Sequence, residues 1–267
     1  MKKVLAAITL LMITDISYSD DRRFTYTYES STLAKNEKDL EVWTTYKGGR
    51  NYFYSAFENR FEYEVGLTNK LQTAFYVNFS NVTSAKDNPA IYDTEFEFKG
   101  ISSEWKYQVL NKYRDGIGFS PYIELGLNTD EVKIETNLIA DKQISKKFLA
   151  AFNAVFEYEW EYNPAPQNTA KKFEMEFDLG FAYDITDEFS IGLETRSHSE
   201  FPNGEGLEFS SLYLGPCISY RSDGWFMAMT YLPQITAFKQ SVDSPGTSLE
   251  LNDQERNNAR IIIGFTL

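Results

Sequence analysis

The sequence has one cysteine and one histidine in 267 residues, and after residue 13 it has no long apolar run. Each absence excludes something. A lone thiol, Cys217, cannot form an internal disulfide, so the fold needs no covalent staple even where the compartment would permit one. One Cys and one His are too few for a zinc centre; no Gly-rich phosphate loop follows a strand, and no Gly-x-Ser-x-Gly elbow is present. No cofactor and no metal is expected. Beyond residue 13 nothing can cross a bilayer as a helix, which takes roughly 20 apolar residues. Basic residues are scarce too: 26 Lys and Arg stand against 39 Asp and Glu, a balance that argues against nucleic acid as a partner.

What is present begins with Lys2 and Lys3, an apolar run from Val4 to Ile13, and small residues at Ser17 and Ser19. That order predicts a secretory signal peptide over residues 1–19, cut near Ser19–Asp20; the alternative is a buried strand or helix. With no Cys at the junction, a lipid-modified N-terminus is not expected. Removing residues 1–19 takes away Lys2, Lys3 and Asp15 and leaves 24 basic and 38 acidic side chains, a net charge of −14.

The chain carries 21 Phe, 18 Tyr and 4 Trp, yet its mean hydropathy is negative. The rings alternate with charges. From Tyr52 to Leu67 the odd positions include Phe53, Phe57, Phe61, Tyr63, Val65 and Leu67, while Glu58, Arg60, Glu62 and Glu64 occupy even ones. Period-two alternation marks a strand whose two faces meet different solvents. The same pattern gives Phe148, Phe152, Phe156, Tyr158 and Trp160 against Asn153, Glu157 and Glu159, and Phe173, Met175, Phe177 and Leu179 against Glu174, Glu176 and Asp178. A helix built from these residues would scatter charge around its whole surface.

Twelve strands are predicted, near 39–48, 52–67, 71–80, 94–110, 118–128, 132–144, 148–162, 172–183, 189–198, 207–221, 225–235 and 258–267. The apolar set changes parity near Gly100, where a β-bulge would explain it, and a similar change near Ser210 takes the tenth strand from Leu207 and Phe209 to Leu212, Leu214 and Ile218. Breaks after even-numbered strands are short (Thr68–Lys70, Asn111–Ile117, Ser145–Lys147, Asp184–Glu188, Ser222–Gly224). Those after odd-numbered strands include the long Asn81–Asp93, Asn163–Ala170, Ser199–Gly206 and Thr236–Asn257, beside the short Gly48–Asn51 and Thr129–Glu131. Such alternation matches short periplasmic turns and longer external loops.

In hydrocarbon an unpaired backbone group costs several kcal/mol, so only a closed ladder is tolerated. The expected fold is all-β: one up-and-down antiparallel transmembrane barrel of about 12 strands over residues 39–267, in the outer membrane of a Gram-negative cell. Twelve strands tilted by about 40° and spaced about 4.8 Å apart give a backbone diameter of roughly 24 Å. That size allows a narrow polar channel or a plugged interior and excludes a wide pore. Residues 20–38 are expected to form a tail, cap or plug. The final strand, with Ile261, Ile263, Phe265 and Leu267 on one face, has the form that assembly machinery for such barrels recognises.

Leu214–Gly215–Pro216–Cys217–Ile218–Ser219–Tyr220–Arg221, followed by Trp225–Phe226 and Tyr231–Leu232–Pro233–Gln234, resembles a pattern in a poorly characterised, porin-like group of Gram-negative outer-membrane barrels. The stretch from Glu58 to Thr68 and Glu194–Thr195–Arg196–Ser197–His198 resemble it as well. The resemblance implies a barrel among outer-membrane lipids and leaves any solute open.

If the rings meet lipid, the lumen is lined by Glu58, Arg60, Glu62, Glu64, Glu97, Glu104, Lys106, Glu124, Lys133, Glu135, Glu157, Glu159, Glu174, Glu176, Glu194, Arg196, His198 and Arg260. It is charged and mainly acidic. Two readings follow: a lining that favours cations or polyhydroxylated and amine-bearing small solutes, or carboxylates paired across the lumen into a stiffening plug. His198 shares the parity of Glu194 and Arg196 and should point inward, unlike the lipid-facing histidine of outer-membrane phospholipases, so catalysis is not expected. The functional expectation is a porin-like channel or passive transporter, with a non-conducting surface protein as the alternative and a lipid hydrolase as the third.

Overall fold

A computed structural model describes residues 22–85, 90–128, 131–162, 169–203, 205–242 and 247–267; the signal peptide expected over 1–19 lies outside them. The strands are β1 (Lys38–Gly48), β2 (Tyr54–Thr68), β3 (Leu71–Ser84), β4 (Asp93–Tyr107), β5 (Gly118–Leu127), β6 (Glu131–Ser145), β7 (Phe148–Tyr162), β8 (Thr169–Asp184), β9 (Phe189–Pro202), β10 (Phe209–Ser222), β11 (Trp225–Lys239) and β12 (Asn257–Thr266), with one short helix, α1 (Lys112–Asp115), between β4 and β5. Each strand pairs with its chain neighbours, and β12 returns to β1 from Asp39↔Thr266 to Gly48↔Asn257, closing the barrel with no free edge.

Alternation decides which way each side chain faces. In β1, Glu41, Trp43 and Thr45 are buried inside while Leu40 and Tyr46 are exposed outside. Phe57, Phe61, Phe75, Trp105, Leu125 and Phe152 join an exposed apolar exterior, the surface a bilayer covers. On that exterior β7 and β8 carry three parallel ring pairs: Phe148–Phe181 and Phe152–Phe177 at 6.3 Å, and Phe156–Phe173 at 6.4 Å.

A bulge stands at Gly100, where Asn78 pairs with Gly100 and Phe79 with Phe98, leaving Lys99 extra. Gly100 has φ +92, a backbone setting that suits glycine. No such break occurs in β10. Its register with β9 is continuous from Phe209 to Tyr220, and the irregularities lie opposite in β11, where Phe238 and Ile235 are skipped. The parity change expected near Ser210 has another cause: Phe209 points inward, 1% exposed, with its ring 5.6 Å from that of His198.

Short connections gather at the end that holds both Lys38 and Thr266, and the long ones at the other. By the rule for outer-membrane barrels the first end is periplasmic. There α1 starts at Asn111, whose side chain accepts from Tyr113 N (3.0 Å) and Arg114 N (3.2 Å), and it stops at Gly116 in the left-handed region.

Candidate functional site

Inside the barrel, residues 22–37 run as a finger that enters from the periplasmic end, turns and returns to β1. Arg23 bonds Asp184 at the periplasmic end of β8 (3.1 Å). The backbone then rises to mid-barrel, where the Glu194 carboxylate accepts three consecutive N–H groups: Thr25 (3.1 Å), Tyr26 (2.9 Å) and Thr27 (2.8 Å). Asn153 brackets Tyr28 from both sides, accepting from its N–H (2.6 Å) and donating to its carbonyl (3.0 Å). Descending, Ser30 bonds Asp141, Leu33 N donates to Gln72, and Asn36 N reaches Gly66 O (2.8 Å) at the periplasmic end of β2. Irregular backbone is admissible at this depth because it is enclosed by protein and its polar groups are met by side chains.

The barrel wall is shaped to hold this segment. Phe24 packs against Leu149, Ala151, Ala182 and Cys217. A Cβ at Gly180 would lie 2.8 Å from the Phe24 ring, and one at Gly66 would lie 2.0 Å from Ala34 O. Tyr26 joins Tyr213 and Leu232, while Tyr28 packs on Trp43, Phe226 and Ile262. Lys112 reaches in from α1 to bond Glu29 (2.6 Å) and Asp141 (2.7 Å). Burial would raise the Glu29 carboxyl, but the Lys112 and Arg23 charges outweigh it and hold it down at about 2.

Above Tyr26 and Tyr28 a cavity of about 320 Å³ opens toward the long loops. Seven carboxylates line it (Glu58, Glu124, Glu135, Glu157, Glu174, Glu176, Asp178) together with six cationic side chains (Lys47, Arg60, Lys99, Lys133, Arg196, Arg260). The lining therefore carries both signs in near balance. Lys47, Arg60 and Arg260 stand on β1, β2 and β12; most of the acids stand on β5–β8, across the bore. Arg260 is held by neutral groups, donating to Thr45 Oγ1 (2.8 Å) and Thr25 O (3.1 Å), and lies 3.9 Å from the Tyr26 ring centroid.

Most charges on the inner face are in pairs. Lys133 meets Glu157 (2.8 Å), Lys172 meets both Glu159 and Glu174 (2.7 Å each), and Lys47 meets Glu58 (2.7 Å). Arg196 bonds Glu176, which also holds His198 Nδ1 at 2.6 Å. Arg60 leans on Asn78 and lies 3.7 Å from Glu124. Glu97 is remote from these, paired with Lys99 at the rim. Glu62, Glu64, Glu104 and Lys106 lie deepest, beside Arg22 of the inner segment rather than around the cavity. In β12, Ile261, Ile263 and Phe265 turn outward, and Leu267 N ties to Lys38 O (2.9 Å).

Register adds a pattern that no single strand displays. Asp39 pairs with Glu64, Glu64 with Ala74, Ala74 with Glu104, and then Glu124, Glu135, Glu157, Glu174 and Glu200 follow on successive strands. Eight carboxylates thus form one tilted row over nine strands, climbing from the periplasmic end of β1 to the outer end of β9. Arg22, Arg23 and Lys112 escaped sequence reasoning because they lie in segments without periodicity, whereas Asp141, passed over, shares the inward parity of Lys133 and Glu135 on β6. Glu41, Lys47 and Lys172 share the inward parity of their strands and were legible by that signal.

The outer rim is narrowed by the β11–β12 connection. Glu250, fully buried, accepts from Ser241 N, Asn252 N and Asp253 N, and its own N–H donates to Gln234. Arg50 of the β1–β2 loop clips to Glu255 of the same connection and lies 3.9 Å from the Tyr54 ring centroid.

Solved structures share this architecture. The NanC porin superposes with a TM-score of 0.55 at 14% identity, covering 85% of this chain and all of its own. The KdgM porin in complex with disordered oligogalacturonate gives 0.52 at 8%, covering 86% and 99%. The β domain of the Bordetella autotransporter BrkA gives 0.54 at 9%, covering 87% and 100%. These likenesses establish the fold, that of an outer-membrane barrel. No curated protein matches the chain. A family model matches residues 16–267, and the chain belongs to the Family of unknown function (DUF6662).

Proposed function

We propose that this barrel is a porin-like channel or passive transporter for small polyhydroxylated or amine-bearing solutes, its periplasmic half closed by residues 22–37. The observation that carries the reading is the outward-opening polar cavity, whose floor is a separate segment seated by side-chain hydrogen bonds rather than a part of the wall. A floor of that kind can shift while the sheet stays intact. The cationic side chains on β12–β1–β2 and the acids on β5–β8 set a transverse field that orients dipolar solutes. Seven carboxylates against six cations give no net attraction for a polyanion, so the oligogalacturonate of the KdgM complex is not carried over as a solute.

The buried, packed segment also favours a second reading, a non-conducting surface barrel. Planar-bilayer recording separates them. Channel events are expected from the protein lacking residues 22–33; silence from both that variant and the wild type, each folded, would overturn the channel reading. A catalytic role finds little support, because His198 faces inward with Nδ1 on Glu176 and its ring against Phe209. His198→Ala is expected to leave lipid hydrolysis at background.

A further inference from the structure

The tilted acidic row sets like charges directly opposite one another on adjacent strands, an arrangement that destabilises a sheet unless something neutralises it. Toward its outer end lysines do so: Lys133 serves Glu157, and Lys172 serves Glu174. At the inner end the compensation falls short. Glu62, Glu64 and Glu104 are 0–1% exposed. Both oxygens of Glu62, both of Glu104 and one of Glu64 have no hydrogen-bond partner. Counting Asp39 and Glu41 with them, five carboxylates face two cations, Arg22 and Lys106, and negative charge is in excess. Uncompensated charge at such depth is very costly.

We propose that Glu41, Glu62 and Glu64 bind one hard divalent cation, calcium in preference to magnesium, beside Arg22. One oxygen from each lies within 4.8 Å of the others, a spacing that a single ion at about 2.3–2.6 Å from each oxygen can bridge. Arg22 flanks this place and satisfies it only in part: its guanidinium, packed against Tyr28 (4.6 Å) and Trp43 (4.7 Å), bonds Glu41 at 3.1 Å but lies 3.5 Å from Glu64 and 3.9 Å from Glu62. Glu41 is further oriented by Trp43 Nε1, which donates to its other oxygen at 2.7 Å. An all-carboxylate, water-poor set suits calcium, since magnesium keeps several of its waters, and it offers no nitrogen or sulfur to zinc or copper. The double charge offsets most of the excess. All three ligands stand on β1 and β2, so the ion would tie these two strands together next to Arg22, whether or not the barrel conducts.

The test uses the full chain in detergent, stripped with a chelator. Terbium(III), a calcium-sized probe, should give Trp43-sensitised luminescence that saturates at one site and is displaced by calcium. Calcium should also raise the unfolding temperature in a saturable manner. Glu62→Gln should weaken both effects by about 10-fold or more while making the metal-free protein more stable, since it removes an uncompensated charge; that gain also shows the variant is folded. Glu64→Gln provides a second variant. No terbium or calcium response in the wild type, or an undiminished response in both variants, would overturn the site and leave protons as the neutralising species. Displacement by magnesium but not calcium would overturn the choice of ion.

Discussion

The two halves of the lumen differ in how they treat charge. The outer half is open, about 320 Å³ of it, and its acids and bases are paired at the edge of water. The inner half is filled by residues 22–37 with apolar clusters around Phe24 and Tyr28, and its buried carboxylates accept from backbone N–H groups, pair with the few cations that reach them, or, as at Glu62 and Glu104, have oxygens with no hydrogen-bond partner. The difference shows one barrel wall carrying two environments: a solvated one where single charges matter little, and a packed one where each charge has a large effect.

The strongest way to break the comparison is to empty the inner half. Deleting residues 22–33 should raise single-channel conductance by about 10-fold or more, because the narrowest section of the bore then becomes the wall itself; bilayer recording reads it. Glu194→Ala should come next. It leaves the N–H groups of Thr25, Tyr26 and Thr27 without their acceptor, at a cost of about 3–5 kcal/mol to seating of the segment. Hydrogen exchange at those amides should accelerate while the strand amides stay protected.

A smaller effect is expected from pH. Glu29 is held at about 2 by Lys112 and Arg23, below the ordinary Glu value of about 4.3. Its contribution to seating is therefore complete above about pH 4.3 and is lost as pH falls through 2, a change of about 3 kcal/mol. Limited proteolysis of the segment across that range checks it, and Lys112→Met should move the loss to higher pH. Smallest of all, Lys172→Gln in the solvated half should leave thermal stability within about 1 kcal/mol and shift ion selectivity toward cations, measured as a reversal potential in a salt gradient.

Much of the wall was legible because a period of two needs only one strand to show itself. Glu58, Arg60, Glu62 and Glu64 against Phe57, Phe61 and Tyr63 announced which face was wet, and the parity change at Gly100 located a real bulge. Phe209 misled, since an aromatic inside the barrel breaks the inside-polar rule and imitates a change of face. The acidic row was invisible for a different reason: it depends on register, which is set by pairing between strands and by no property of one. The path of residues 22–37 was equally hidden, because a segment whose backbone is satisfied by distant side chains leaves no periodic mark of its own.

That path has a mechanical consequence. Arg23 and Asn36 are both anchored near the same mouth, and between them the bend at Tyr26–Tyr28 reaches mid-depth. Residues 23–36 lie in the cylinder like a bolt in its socket, with both their ends at one mouth through which they can be drawn back. Tension applied from the periplasm would load Arg23–Asp184 before the three amides held by Glu194, and retraction would release these grips in order, one after another.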